Sequence, residues 1–223
     1  KLRRQLGAQQ LTPDPRLLTT GSMLPRLYAI IDAAFFPDTA ALLAFAAELC
    51  DGGVTLVQYR NKSGNARQML SQARELRRKM EGARLIMNDR ADLCLAAAFD
   101  GVHLGQDDLS VEGARRVVGD KLWVGISTHN PEQVRTEVSG SADYVAVGPV
   151  FATNSKANPD PVIGLDGVRV ARSLTQKPLV AIGGITRQNC RQVLEAGADA
   201  VAVISDLLDN PRKSAEEFLR HLG

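Results

Sequence analysis

The segment Thr55–Lys62, TLVQYRNK, begins as an apolar run and ends in two cations. On a strand, side chains two apart share a face, so Gln58, Arg60 and Lys62 point the same way. Two fixed positive charges and an amide suit a phosphoryl ligand, whose oxygens accept charge-assisted hydrogen bonds. Asp89 and Asp108 supply hard oxygen donors elsewhere in the chain. Mg²⁺ takes one or two protein carboxylates and completes its shell with water and substrate phosphates. Two carboxylates beside Arg60, Lys62 and Lys156 therefore point to a metal-bound diphosphate. A second anion is suggested by Gly183-Gly184 in AIGGIT and by the VAVIS run ending at Ile204-Ser205. Glycine lets backbone N–H groups approach a phosphate closely.

Taken singly, each of these residues also has an ordinary structural use. Aspartates after strands often cap helices, and Asp108, just ahead of Ser110, is so placed. His103 reads as a packed or hydrogen-bonded histidine, and His129 in STHNPE as the neighbour of a helix cap. Asn88-Asp89-Arg90 reads as a helix start with its own ion pair. Joint placement decides between these uses, and placement depends on the elements.

Four runs, CDGGVTLVQ, FDGVHLGQ, ADYVAVGP and ADAVAVIS, share one pattern. In each, a small residue and an aspartate (Asp51, Asp100, Asp143, Asp199) precede a short β-branched run. RLYAIID comes ahead of them, and ARLIMND, KLWVGIS and KPLVAIGG fall between them. Each of the eight apolar runs is followed by a helical pattern. Asp38 is placed to cap the helix that buries Leu42, Leu43, Phe45, Ala46 and Leu49, with Gly52 beyond its end. Asn130-Pro131 and Asn210-Pro211 read as caps followed by proline at the first helical position. Gly197 ends a helix that Thr186 begins.

Strict strand–helix alternation gives a parallel sheet. Eight units in about 200 residues suit a single α/β domain, a closed (β/α)8 TIM barrel over residues 24–223. Residues 1–23 form a short N-terminal extension, helical or flexible, basic and broken by Pro13 and Pro15. A doubly wound open sheet is the alternative, and the even quarter-turn repetition argues against it. In such a barrel, active sites form where strands end. The residues named above collect there, joined by Ser127 after the fifth strand and by Thr153 and Ser155 after the sixth. Two anion sites facing each other imply a reaction between two phosphorylated small molecules, one carrying a diphosphate able to leave.

Bulk properties add exclusions. Of the 223 residues, 44% are hydrophobic and 23% charged, an ordinary globular balance. A net charge of +2 provides no general attraction to nucleic acid or membrane, so functional charge must be local. No apolar run reaches the roughly 18 residues of a membrane span. The first residues lack the continuous apolar stretch of a secretory signal, although the chain begins with Lys1 rather than Met. Cys50, Cys94 and Cys190 form no CxxC pair and read as buried thiols in a reducing, cytoplasmic setting. Whether the chain forms a homo-oligomer is left open.

VQYRNK, MNDRADLCLA, DGVHLGQDD, GISTHN, ADYVAVGPVFAT, VAIGGIT and GADAVAVIS resemble, in order and spacing, the motifs of the thiamine-phosphate synthase family. The resemblance runs from about Arg26 to Leu222. It implies a (β/α)8 enzyme that couples a hydroxymethylpyrimidine diphosphate to a thiazole phosphate, releasing pyrophosphate through a dissociative step. Carried over by motif, Gln58, Arg60, Lys62, Asn88, Ser127 and Lys156 would bind the pyrimidine diphosphate. Arg60, Lys62, Ser127 and Lys156 would take part in catalysis, and Asp89 and Asp108 would hold Mg²⁺. Thr153, Ser155, Gly184, Val203, Ile204 and Ser205 would hold the thiazole phosphate. The sixth loop, ATNSKANPDP, departs from the family's usual Thr-x-Thr followed by lysines, which puts the loop contacts in question. Tyr59 replaces a more usual aliphatic residue or phenylalanine and is expected to face away from the site. The related thiazole tautomerase shares the barrel and a histidine in the strand-five turn, so His129 does not discriminate. The full set Gln58, Arg60, Lys62, Asp89 and Asp108 favours the synthase over the tautomerase. It also favours it over a non-catalytic phosphate sensor and a barrel handling one sugar phosphate.

Overall fold

The computed structural model describes residues 24–153 and 160–223, so the N-terminal extension, Ser155 and Lys156 lie outside the described residues. Eight parallel strands close into a barrel in sequence order. They are β1 (Leu27–Asp32), β2 (Leu56–Arg60), β3 (Arg84–Asn88) and β4 (Gly101–Leu104), followed by β5 (Trp123–Thr128), β6 (Tyr144–Val147), β7 (Leu179–Ile182) and β8 (Ala200–Val203). The helices between and after them are α1 (Thr39–Asp51), α2 (Ala66–Lys79), α3 (Ala91–Ala96) and α4 (Val111–Val118), then α5 (Pro131–Val138), α6 (Gly164–Leu174), α7 (Cys190–Glu195) and α8 (Pro211–Leu222). The open-sheet alternative is excluded, because β1 pairs with both β2 and β8. Among the described residues, no helix is long and apolar enough to cross a membrane.

Strand alternation sorts the core into two layers. Leu27, Ala29 and Ile31 face the helices, while Tyr28 and Ile30 face the barrel interior with Leu56, Ile86, Tyr144, Val180 and Ala202. The same parity turns Gln58 inward and Tyr59 outward. Room for the Tyr144 ring comes from Gly125 on β5, where a Cβ would lie 2.0 Å from Tyr144 Cζ.

The recurring aspartates belong to the opposite end of the barrel from the strand C-termini. Asp100 accepts from the Leu85 N–H at 2.7 Å and from Arg77 at 2.8 Å. Asp143 repeats this with the Val124 N–H at 2.7 Å and Arg115 at 2.6 Å. Asp199 does so with the Leu179 N–H at 2.7 Å and Arg172 at 2.9 Å. Each arginine lies in the last turn of α2, α4 or α6 and also donates to carbonyls of the loop that follows. Each Asp–Arg pair thus ties an odd strand, an even strand and the helix before the odd strand together. Asp51 does not share the device. It is the exposed last residue of α1, short of β2, and only its letters match the other three.

Helix starts follow their capping chemistry. Asp38 accepts from the Ala41 N–H at 2.8 Å and Asn130 from the Gln133 N–H at 3.0 Å, as expected. The buried face of α1 is Leu42, Phe45, Ala46 and Leu49, with Leu43 only partly buried. Asn210 stands at the cap position with Pro211 as the first residue of α8, as expected, although at φ 47° its side chain makes no cap bond. The seventh helix begins at Cys190 rather than Thr186. Asn189 accepts from the Thr186 N–H and donates to the Gly184 carbonyl, and these bonds hold the intervening residues as a turn.

Candidate functional site

At the C-terminal ends of the strands lies a cavity of about 550 Å³. Gln58, Arg60, Lys62, Asn88, Asp89, Asp108, Ser127, Thr153, Gly184, Val203, Ile204 and Ser205 all line it. The strands bring into one space residues spread over most of the chain.

On one side stand the cations and carboxylates. Arg60, the last residue of β2, pairs with Asp32, the last residue of β1, which is only 3% exposed and also accepts from the Ala34 N–H. A buried carboxylate beside it fixes the guanidinium at the cavity edge. Lys62, beyond the strand end, pairs with Asp89. Its loop is braced from behind by Tyr59, which faces away from the cavity as expected. The Tyr59 hydroxyl donates to Gln72 of α2 at 2.5 Å, and Asn61 donates to both.

Asp89 adopts φ 61°, a left-handed conformation that costs a non-glycine residue energy, and its N–H donates to the His103 carbonyl at 2.8 Å. Burial raises the Asp89 carboxyl above its usual range, and the neighbouring Asp108 raises it further against the pull of Lys62. Burial works upward on Asp108 too, but hydrogen bonds from Asp89 and the Gly105 N–H, with Lys62 nearby, bring it out below the ordinary carboxylate range. Ser110, not Asp108, caps α4, so the helix-cap explanation of Asp108 is displaced. Among the described residues there is no cluster of three or more metal-binding side chains. The convergent pair Asp89 and Asp108 fits Mg²⁺ nonetheless, since that ion needs few protein carboxylates and is well matched to oxygen donors. Beside them, the buried Asn88 side chain lines the cavity with an Nδ2 that has no hydrogen-bond partner among the described residues.

The cavity floor is polar but uncharged. Gln58 Nε2 donates to the Tyr28 hydroxyl at 3.0 Å, and the Tyr28 and Tyr144 hydroxyls are 3.0 Å apart. Tyr144 meets His103 Nδ1 at 3.0 Å, and His103 Nε2 meets Ser127 Oγ at 2.9 Å. Burial lowers the His103 pKa to about 4, which leaves the ring neutral at physiological pH. Burial likewise raises both tyrosines, which stay protonated. His103 is thus the hydrogen-bonded histidine its sequence suggested, yet it belongs to the cavity lining. His129 also lines the cavity, with Nδ1 donating to the Gly148 carbonyl at 2.7 Å.

On the other side lie the glycines. Gly183 and Gly184 take φ 101° and 63°, and a Cβ on Gly184 would sit 2.5 Å from the Ala152 carbonyl oxygen. The segment after β6 runs along these residues, with Phe151 N–H donating to Gly183 O at 3.0 Å. The glycines therefore admit a neighbouring backbone as well as leaving N–H groups at the cavity. Among the described residues, nothing accepts from the N–H groups of Gly184 and Ser205. Arg187 bonds Asp206 through its backbone and side chain, tying the loop after β7 to the loop after β8.

Asp32, Tyr28 and Tyr144 are the contributors that sequence reasoning missed. Asp32 had a usable signal: it closes RLYAIID on the inward parity, where Arg60 needs a partner. The two tyrosines had none, since a tyrosine in an apolar strand reads as core until its hydroxyl is seen.

The family model described as thiamine monophosphate synthase matches residues 27–207. A thiamine-phosphate synthase from Koribacter versatilis (strain Ellin345) is 61% identical, covering 92% of this chain and 99% of its own length. One from Chloroflexus aurantiacus is 46% identical, covering 81% and 83%. A solved thiamine phosphate pyrophosphorylase from Pyrococcus furiosus superposes with a TM-score of 0.79 at 33% identity, covering 88% of this chain and 95% of that one. A 3-hexulose-6-phosphate synthase from Salmonella typhimurium, at 17% identity and TM-score 0.71, shares the fold alone. By its matched residues, its relatives and its barrel, the chain belongs to the thiamine-phosphate synthase family.

Proposed function

We propose that the protein condenses 4-amino-2-methyl-5-(diphosphooxymethyl)pyrimidine with 4-methyl-5-(2-phosphooxyethyl)thiazole to give thiamine monophosphate and pyrophosphate. The carrying observation is the single cavity that has Arg60, Lys62, Asp89 and Asp108 on one side and Gly184 and Ser205 on the other. Gln58, Asn88 and Ser127 take the pyrimidine diphosphate, with Asn88 Nδ2 donating to one of its acceptors. Thr153, Gly184, Val203, Ile204 and Ser205 take the thiazole phosphate. Ser155 and Lys156, outside the described residues, complete the thiazole and diphosphate contacts in this proposal.

In the reaction, the bond from the pyrimidine methylene to the diphosphate oxygen breaks, and its electron pair leaves with the oxygen. The thiazole nitrogen lone pair then forms the new C–N bond to the methylene carbon. No protein nucleophile is required, so positioning and stabilisation of the leaving charge dominate. Arg60, held by Asp32, and Lys62 neutralise diphosphate oxygens, while the uncharged floor places no cation beneath the carbon that becomes positive. Mg²⁺ held by Asp89 and Asp108 would supply Lewis-acid stabilisation of the departing diphosphate. Lys62 now pairs with Asp89, and transferring that contact to the diphosphate frees the carboxylate for the metal. Three free thiols support a reducing compartment, and a cytoplasmic location is part of the proposal.

Equilibrium binding tests the two-anion arrangement. Inorganic pyrophosphate with Mg²⁺ should bind without displacing the thiazole phosphate. Mutually exclusive binding would contradict it.

A further inference from the structure

At the base of the cavity five polar side chains form one continuous line, from Gln58 through Tyr28, Tyr144 and His103 to Ser127, and all but the buried Tyr144 line the cavity itself. Hydroxyl and imidazole groups can each run such a line in either direction, and the end groups settle which. Gln58 presents its Nε2, which can only donate, so Tyr28 oxygen accepts there. The Tyr28 proton then goes to Tyr144, whose oxygen is the one acceptor within reach among the described residues. Tyr144, having accepted, donates its own proton to His103 Nδ1. That nitrogen must be unprotonated, so Nε2 bears the hydrogen and donates it to Ser127 Oγ. Ser127 is left with a filled lone pair and a hydroxyl proton that has no acceptor among the described residues. Its side chain lines the cavity, so the proton is available to a ligand.

We propose that Tyr28, Tyr144 and His103 are positioning residues that fix Ser127 as a hydrogen-bond donor toward the pyrimidine. The direction of the line stands on the geometry, while the identity of the acceptor, a ring nitrogen of the aminopyrimidine, rests on the function proposed above. Four of the five side chains are almost fully buried, so the line cannot be reset by solvent without exposing the floor. The ring positions are also constrained. Tyr144 stacks on His103 with centroids 5.5 Å apart and fills the space that Gly125 leaves open. If the Gln58 amide were turned over, every proton would reverse, His103 would be protonated at Nδ1, and Ser127 would become an acceptor. Such a floor would favour a donor on the ligand instead. The direction therefore decides which edge of an aminopyrimidine the floor accepts.

The test is the ¹⁵N spectrum of the histidine side chains in the ligand-free protein at neutral pH, with Tyr144→Phe as the comparison. The wild type should show His103 as the Nε2–H tautomer, with Nδ1 shifted as an acceptor. In Tyr144→Phe, which keeps the ring and its packing, that signature should be lost. Turnover should fall about tenfold, as expected for one buried hydrogen bond, with thiazole phosphate affinity unchanged. Tyr28→Phe should move the same resonance less, because it acts through Tyr144. A wild-type Nδ1–H tautomer overturns the proposal, and so does a Tyr144→Phe enzyme with unchanged turnover. The spectrum needs no substrate, so the direction of the line is tested even if the proposed reaction is not the one catalysed.

Discussion

At the scale of single residues, the cavity pairs strained or buried charges with partners that a ligand can replace. Asp89 holds a left-handed backbone and a raised carboxyl pKa next to Asp108, with Lys62 as its counter-ion. In the proposed role, Asp89→Ala should lower turnover by about a hundredfold or more, in line with removal of a group that stabilises leaving charge. Thiazole phosphate affinity, measured by calorimetry, should be nearly unchanged, because the Gly184 side is separate. Comparable loss of both would count against that role. A pH effect belongs here too. His103 has its pKa lowered from 6.5 to about 4 in the folded protein by burial. Between those values the unfolded chain binds more protons, so stability rises with pH through the window and is lost as pH falls. Urea midpoints should drop between pH 7 and pH 5, and the drop should shrink in His103→Gln. An equal drop in both would assign the acid sensitivity elsewhere.

Elements show why some of this was legible in the sequence and some was not. Strand parity placed Gln58 and Arg60 on the inner face and Tyr59 on the outer, and the structure agrees because parallel barrel strands keep that parity. Capping residues were readable at Asp38 and Asn130, where a side-chain oxygen meets the first helical N–H groups. They misled at Thr186, where turn geometry that no local pattern reveals took over, while at Asn210 the cap position was right but the side chain makes no cap bond. The aspartate rhythm was visible, but its purpose was not, because the arginine and strand N–H partners are set by tertiary approach. Asp143→Ala should leave Arg115 buried without its carboxylate and destabilise the fold by about 3–5 kcal/mol. Asp51→Ala, outside the device, should change stability by less than about 0.5 kcal/mol. Equal effects in chemical denaturation would deny the threefold device. Gly184→Ala faces both a positive φ and a 2.5 Å approach to the Ala152 carbonyl. It should raise KM for the thiazole phosphate about tenfold, the scale of losing one charge-assisted hydrogen bond, with a smaller change in kcat. A larger fall in kcat than rise in KM would remove Gly184 from the proposed phosphate site.

For the whole molecule, the barrel separates two tasks between its ends. The Asp–Arg pairs hold the N-terminal ends of the strands, and the C-terminal ends carry the cavity to which the proposed reaction is assigned. Net charge is small, so in the proposed reaction ligand attraction is local and, among the described residues, falls to Arg60, Lys62 and the N–H groups at the rim. The central claim is that one cavity joins two phosphorylated molecules with a departing diphosphate. Its most direct test follows thiamine monophosphate and pyrophosphate formed from the pyrimidine diphosphate and the thiazole phosphate, with Mg²⁺ and with a chelator. The account predicts both products in equal amounts, with Mg²⁺ and not with chelator. No product from the folded protein with both substrates and Mg²⁺ present would contradict it.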